Sequence, residues 1–218
     1  MDTFSLRPVL REGETRTKQM RIGDRLGREF VRPAIIIVDM LEDSFRDRSD
    51  KNREEERIVP LVRDFLRTCR AIPIPLIFAC DSFLEGDFIF EGRMKPHAIR
   101  GTEGAKVLHD LDPQPTDTIL PKRRFSAFFK TDLDQTLRTW HVDTVAVCGM
   151  NTHFCVLATV FDAICHDFRT IILEDLCASH KREIHENTIN AYRRTVISPL
   201  LRVMTSAEFL QDLSSHRA

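Results

Sequence analysis

DTVAVCGMNTHFCVLATVFDAICHDFRTIILED, residues 143–175, contains a complete strand–helix–strand unit. DTVAVCG (143–149) is a short apolar run, as expected of a strand buried on both faces. Residues 151–168 then space their apolar side chains at helical intervals, and TIILED (170–175) returns to a continuous apolar run. Two such strands joined through a helix lie parallel in one sheet.

The same alternation extends in both directions. Upstream, AIIIVD (34–39) and PLIFACD (75–81) read as buried strands, each ending in a carboxylate. Between them, residues 55–70 carry Ile58, Leu61, Val62, Phe65 and Leu66 at helical spacing, with Pro60 restricting the first turn. GTEGAKVLHDL (101–111) reads as a loop running into a short helix, DTILPK (117–122) as a strand ending in lysine, and TDLDQTLRTWH (131–141) as a helix. Downstream follow a charged helix over 180–196, the strand LLRVMT (200–205) and a last helix, SAEFLQDL. About six strands alternating with helices through short connections predict a three-layer α/β/α fold, doubly wound around a mostly parallel sheet. That domain occupies residues 33–218. Residues 1–32 are polar and aperiodic and form an N-terminal extension or arm.

At 218 residues a single α/β domain buries roughly 70% of its unfolded surface and needs no disulfide or metal staple. A formal net charge of −1 supplies no basic field, so neither nucleic acid nor a membrane surface is expected as a partner. The six cysteines (Cys69, Cys80, Cys148, Cys155, Cys165 and Cys177) show no CxxC pair. Several lie inside apolar runs and are read as reduced thiols of a cytoplasmic protein. No apolar run reaches membrane-span length, and the opening MDTFSLRP lacks the basic and apolar regions of a secretory signal.

Doubly wound sheets bind ligands beyond the carboxyl ends of their strands. Asp39, Asp81 and Lys122 each end a strand, and the loop after Cys148 leaves a fourth. Cys155 lies in the first turn of the helix that follows, where unpaired N–H groups and the helix dipole favour a thiolate. Lys122 favours the same ionisation, and Asp39 is placed to take the thiol proton and pass it to a leaving amine. Taken singly, these residues read as a core thiol, a surface charge and a helix cap; their convergence on one sheet edge points to a site.

Five segments in series resemble the isochorismatase-like cysteine hydrolases, the family of nicotinamidases and N-carbamoylsarcosine amidase. They are IIIVDMLEDSF (35–45), HAIRGTEGA (97–105), KRRFSAFFKTDLDQTLR (122–138), CGMNTHFCVLATVFDA (148–163) and IILEDLCAS (171–179). The resemblance covers residues 34–210. It implies an Asp39–Lys122–Cys155 triad, a non-proline cis peptide at Met150–Asn151, and an oxyanion hole formed by the N–H groups of Asn151 and Cys155. Family members that hydrolyse the vinyl ether of isochorismate lack the cysteine. Cys155 therefore favours attack on a carbonyl, a thioester intermediate, and release of ammonia or an amine from a small amide. The resemblance also implies a homo-oligomer, dimer or tetramer. Alternatives are vinyl-ether hydrolysis, a catalytically retired homologue serving as a binding protein, and a redox-sensing thiol.

The chain departs from the nicotinamidase pattern at the metal. Those enzymes use an Asp-x-His pair after the second strand and a later histidine. Here Asp81 and His97 remain as candidate ligands, but Phe83 stands where the first histidine is expected. One carboxylate and one imidazole fall short of the three protein ligands usual for zinc, so no cofactor is expected to be required. Phe45, Phe83, Phe88, Phe90, Met94 and Phe125 flank the site segments and are candidate pocket walls. Arg93 and Arg100 are candidates for pairing with a substrate carboxylate.

Overall fold

A computed structural model describes residues 32–45 and 54–217. The extension assigned to residues 1–32 lies outside them apart from Arg32, as does most of the charged run that begins at Asp47. Six strands form one sheet: β1 (Pro33–Val38), β2 (Leu76–Asp81), β3 (Thr118–Lys122), β4 (Thr144–Met150), β5 (Arg169–Ala178) and β6 (Leu201–Met204). Their spatial order is β3-β2-β1-β4-β5-β6, and every pairing is parallel. This is the doubly wound order that reverses direction between β1 and β4, and such folds place their site in the crevice at that reversal.

Strands β1, β2 and β4 are buried at every position, which is why their sequences run apolar rather than alternating. Among the described residues five α-helices cover the faces: α1 (Glu54–Ala71), α2 (Leu133–Thr139), α3 (Leu157–Cys165), α4 (Arg182–Tyr192) and α5 (Ser206–Arg217). Phe65 of α1 meets Phe209 of α5 on one face, with ring centroids 6.0 Å apart. Phe161 of α3 meets Tyr192 of α4 at 5.6 Å, on the face to which right-handed crossovers after the reversal carry them.

Three local expectations change. Residues 101–111 form no helix but two short 3-10 turns, Glu103–Ala105 and His109–Leu111. Pro60 lies inside α1 rather than in its first turn; it is exposed there, where its ring meets solvent. The helix read over 151–168 opens instead with a π-helical turn, Thr152–Val156, and its α part ends at Cys165.

The approach of β4 to β1 depends on one residue. Gly149 has φ of +108°, and a Cβ built on it would sit 2.1 Å from the Val38 carbonyl oxygen. The clash is with backbone, which has no rotamer to escape into, and the φ itself is open only to glycine. Gly149→Ala is expected to lower the unfolding free energy by about 3 kcal/mol or more. Urea titration would show this as an earlier midpoint; an unchanged midpoint would mean that β4 shifts at no cost.

Candidate active site

Strand register assembles the polar cluster. Asp81 and Lys122 are direct partners at the ends of β2 and β3, and Asp39 follows the end of β1 with its N–H bonded to Ala79 of β2. Asp39 adopts a left-handed φ of 52°, which aspartate tolerates better than most residues. Its Oδ1 accepts the Asp81 backbone N–H at 2.8 Å, and its Oδ2 accepts the Lys122 ammonium at 2.8 Å. Lys122 donates a second bond to Asp81 Oδ1 at 2.6 Å. Only 1% of Lys122 is exposed, so two carboxylates from neighbouring strands replace its lost hydration.

Cys155 completes the cluster. Its Sγ and an oxygen from each of Asp39 and Asp81 lie within 4.8 Å of one another. The π-helical turn carries the sulfur there: the Asn151 carbonyl accepts the N–H groups of Phe154 (3.0 Å) and Val156 (3.3 Å), stepping over that of Cys155. Single π-turns of this kind recur at functional sites. The peptide Met150–Asn151 is cis. Thr159 Oγ1, one turn beyond, donates to the Cys155 carbonyl at 2.7 Å and accepts the Ala127 N–H at 3.0 Å. It thereby ties the segment after Lys122 to the turn that holds the sulfur.

The electrostatics differ from a free thiolate. Burial pushes the Cys155 thiol well above its usual range and the Asp39 carboxylate pushes it further, outweighing the opposing pull of Lys122. Burial alone would lower the Lys122 pKa, but the charges of Asp39, Cys155 and Asp81 reverse that and raise it. Asp39 already balances the Lys122 ammonium, so an added thiolate would be an uncompensated charge in a buried site. The cysteine rests as a thiol, in place of the thiolate that the helix-terminus argument favours.

A cavity of about 80 Å³ opens over the sulfur. Phe83, Met94 and Phe125 line it, together with Leu41, Met150 and Phe154. Phe45 does not reach it. The 3-10 turn Glu42–Phe45 directs Ser44 to the cavity and Phe45 to a separate cleft, since neighbours in such a turn point about 120° apart. Phe90 packs behind the wall, edge-on to Phe83 at 5.2 Å, and Phe88 is exposed. Arg93 is absent from the cavity wall. Arg100 is also absent and bonds Ser82 instead. Phe154 was not singled out in the sequence. It is 51% exposed and stacks on Phe125 with centroids 5.6 Å apart; the clue was a large apolar side chain directly before the cysteine.

Asp39, Asp81 and Cys155 bring three potential ligand atoms together, but both carboxylates are spent on the Lys122 ammonium, so the set does not fit a resident divalent metal. Phe83 presents a ring, and His97 turns Nδ1 to the Lys95 carbonyl at 2.9 Å while packing edge-on to Phe83. The carboxylates of Asp39 and Asp81 close around the Lys122 ammonium instead.

Asp81 gives a stability signature. Burial, and then the Asp39 charge, push its carboxyl up to about 7 against the pull of Lys122. An unfolded aspartate titrates near 3.9. Between these values the folded chain holds a proton that the unfolded chain has released, so the contribution of Asp81 falls as pH rises from about 4 to about 7. Asp81→Asn removes that slope. Urea midpoints measured across this range should decline in wild type relative to the variant and run parallel above it; parallel curves throughout would rule out the raised pKa.

The Isochorismatase domain family matches residues 33–208 of the chain. A protein of Bacillus subtilis described as the uncharacterized isochorismatase family protein PncA is 32% identical over 151 residues, 65% of this chain and 80% of that protein. Among solved structures, an isochorismatase-like hydrolase from Alkaliphilus metalliredigens superposes with a TM-score of 0.75 at 31% identity, covering 84% of this chain and 99% of that one. N-carbamoylsarcosine amidase from Thermoplasma acidophilum gives 0.69 at 27% identity, covering 81% and 97%. With the family match spanning the whole sheet and its site, the chain belongs to the isochorismatase-like cysteine hydrolase family.

Proposed function

We propose that the chain is an amidohydrolase that cleaves the C–N bond of a small amide through a thioester on Cys155. The observation that carries this reading is the meeting of the Cys155 sulfur, the Asp39 carboxylate and the paired Lys122 ammonium beneath one small cavity. Similarity to an amidase over most of the chain supports it.

The chemistry follows from the resting thiol. As sulfur attacks the substrate carbonyl, the thiol proton moves to Asp39, so negative charge is exchanged within the cluster rather than added to it. Lys122, held between Asp39 and Asp81, stabilises the sulfur while it carries that charge. The carbonyl oxygen becomes an oxyanion, and the N–H groups of Asn151 and Cys155 are its donors in this reading; the Asn151 carbonyl takes the N–H groups of Phe154 and Val156 and not that of Cys155. Asp39 then protonates the leaving nitrogen, ammonia or an amine departs, and a thioester remains. Water adds to the thioester with Asp39 accepting its proton; the acid product leaves and the proton returns to sulfur. No cofactor takes part. The same proposal places the protein in the cytoplasm, supported by unpaired cysteines of which five are buried. It also makes the chain a homo-oligomer, supported by the exposed aromatic side chains of Phe129, Trp140 and Phe161.

Ammonia release from a panel of small amides and ureides, nicotinamide included, tests the reading. Cys155→Ala and Asp39→Asn are each expected to lower kcat at least about 1000-fold on any amide that wild type hydrolyses, with folding checked by circular dichroism. Retention of activity in Cys155→Ala would overturn the mechanism, and a wild type inert across the panel would overturn the function.

A further inference from the structure

Among the polar side chains of the cavity wall, His97 takes no part in the proposed mechanism and keeps a ring nitrogen to spare. Asp39 and Asp81 hold the Lys122 ammonium, and Ser44 Oγ donates to the Asp39 carbonyl at 3.4 Å. His97 lines the cavity beside them. Its Nδ1 meets the Lys95 carbonyl at 2.9 Å. A carbonyl only accepts, so the proton of the neutral imidazole sits on Nδ1 and Nε2 carries a lone pair. That Nε2 has no hydrogen-bond partner among the described residues, and on this half-buried ring it is not sealed from solvent. The local fold fixes the ring. Phe83 and Phe90 pack edge-on to it with centroids 5.4 and 5.9 Å away. Ala98, the next residue, is fully buried at a left-handed φ of 46°, which alanine rarely adopts. Asp43 Oδ2 holds it there by accepting its N–H at 2.8 Å, while its carbonyl accepts the Phe83 N–H at 3.0 Å. Backbone outliers of this kind cluster at ligand sites.

We infer that His97 is a specificity-determining residue whose Nε2 accepts a hydrogen bond from an N–H of the substrate. The inference deepens the amidohydrolase reading and rests on it. Lys95, to which Nδ1 turns, is not part of the cavity wall, which leaves the other ring nitrogen for the cavity. His97 and Cys155 line the same space of about 80 Å³, so a compact molecule attacked by the sulfur is within reach of the imidazole. A molecule that enters displaces solvent from Nε2 and must supply a donor or leave that nitrogen unsatisfied. A primary amide or a ureide supplies one; an ester or ketone of the same shape does not. No lysine or arginine is among the described residues of the wall. The substrate class is therefore a compact, uncharged amide or ureide that directs an N–H at His97.

Alkylation of Cys155 tests this without requiring turnover. Chloroacetamide and chloroacetone have nearly the same shape, and only the amide donates an N–H. Rates at Cys155 are read by mass spectrometry with the modified residue located by fragmentation, and each is divided by the rate of the same reagent with free cysteine. Wild type is expected to favour chloroacetamide by a factor on the order of ten, and His97→Leu to bring the ratio close to one. A wild-type ratio near one overturns the inference without any variant. A variant that slows both reagents equally, leaving the ratio unchanged, also overturns it by assigning His97 a purely structural role. Imidazole nitrogen NMR of the wild type is a second check that needs no variant: the neutral ring is expected to carry its proton on Nδ1, and a proton on Nε2 overturns the inference. A protein that shows the preference but releases no ammonia from any amide loses the proposed function while keeping an imidazole that reads N–H groups.

Discussion

The buried ammonium of Lys122 sets the terms for everything around it. Taking a lysine out of water costs several kcal/mol, and this one is almost wholly enclosed. It stays charged because two carboxylates on adjacent strands meet it at 2.8 and 2.6 Å. Those carboxylates can be there only because β1, β2 and β3 run parallel with their ends in register. Removing either carboxylate leaves the ammonium undercompensated, and removing the lysine leaves two acids facing each other. The sheet order and the site are therefore a single requirement.

The cluster also determines what its cysteine can do. Burial, and then the Asp39 charge that already balances the ammonium, hold the proton on the sulfur at rest. A thiolate formed by losing that proton to solvent would add charge to a dry site. A thiolate formed by handing the proton to Asp39 leaves the total unchanged. In the proposed mechanism, activation by proton transfer within the cluster at the moment of attack is thus less costly than a standing thiolate. Thr159 keeps the partners aligned by bonding both the nucleophile turn and the segment that follows Lys122.

Much of this was legible in the chain because buried parallel strands announce themselves. AIIIVD and PLIFACD are unbroken apolar runs that stop at a charge, and a charge that ends such a run stands at the rim of the sheet. The positions of Asp39, Asp81, Lys122 and Cys155 followed from that. What did not follow was direction within short irregular segments. Phe45 and Ser44 are neighbours, yet a 3-10 turn sends Ser44 to the cavity and Phe45 to a separate cleft. The π-turn at Thr152–Val156 has no apolar period of its own, so residues 151–168 read as one helix, with Cys155 at an ordinary helix start. Asp81 was placed at the sheet rim without its partner: the sequence offers it only as a weak metal candidate, and the register with β3 is what shows Lys122 bonded to it.

That last point bears on how the site diverged within its family. A metal beside this cluster needs ligand atoms that are not already committed. Here the position two residues after Asp81 is a phenylalanine, and its ring packs against Phe90 and His97 instead of offering a donor. The imidazole turns Nδ1 to a backbone carbonyl, yet His97 still lines the cavity, with Ser44 and Asp81, so polar atoms remain on the wall. To these the proposed mechanism adds the backbone N–H groups of Asn151 and Cys155. In the proposed reaction a polar substrate headgroup is recognised by directional hydrogen bonds rather than by a lysine or arginine of the wall, the arrangement that discriminates most sharply between a molecule with the matching group and one without it.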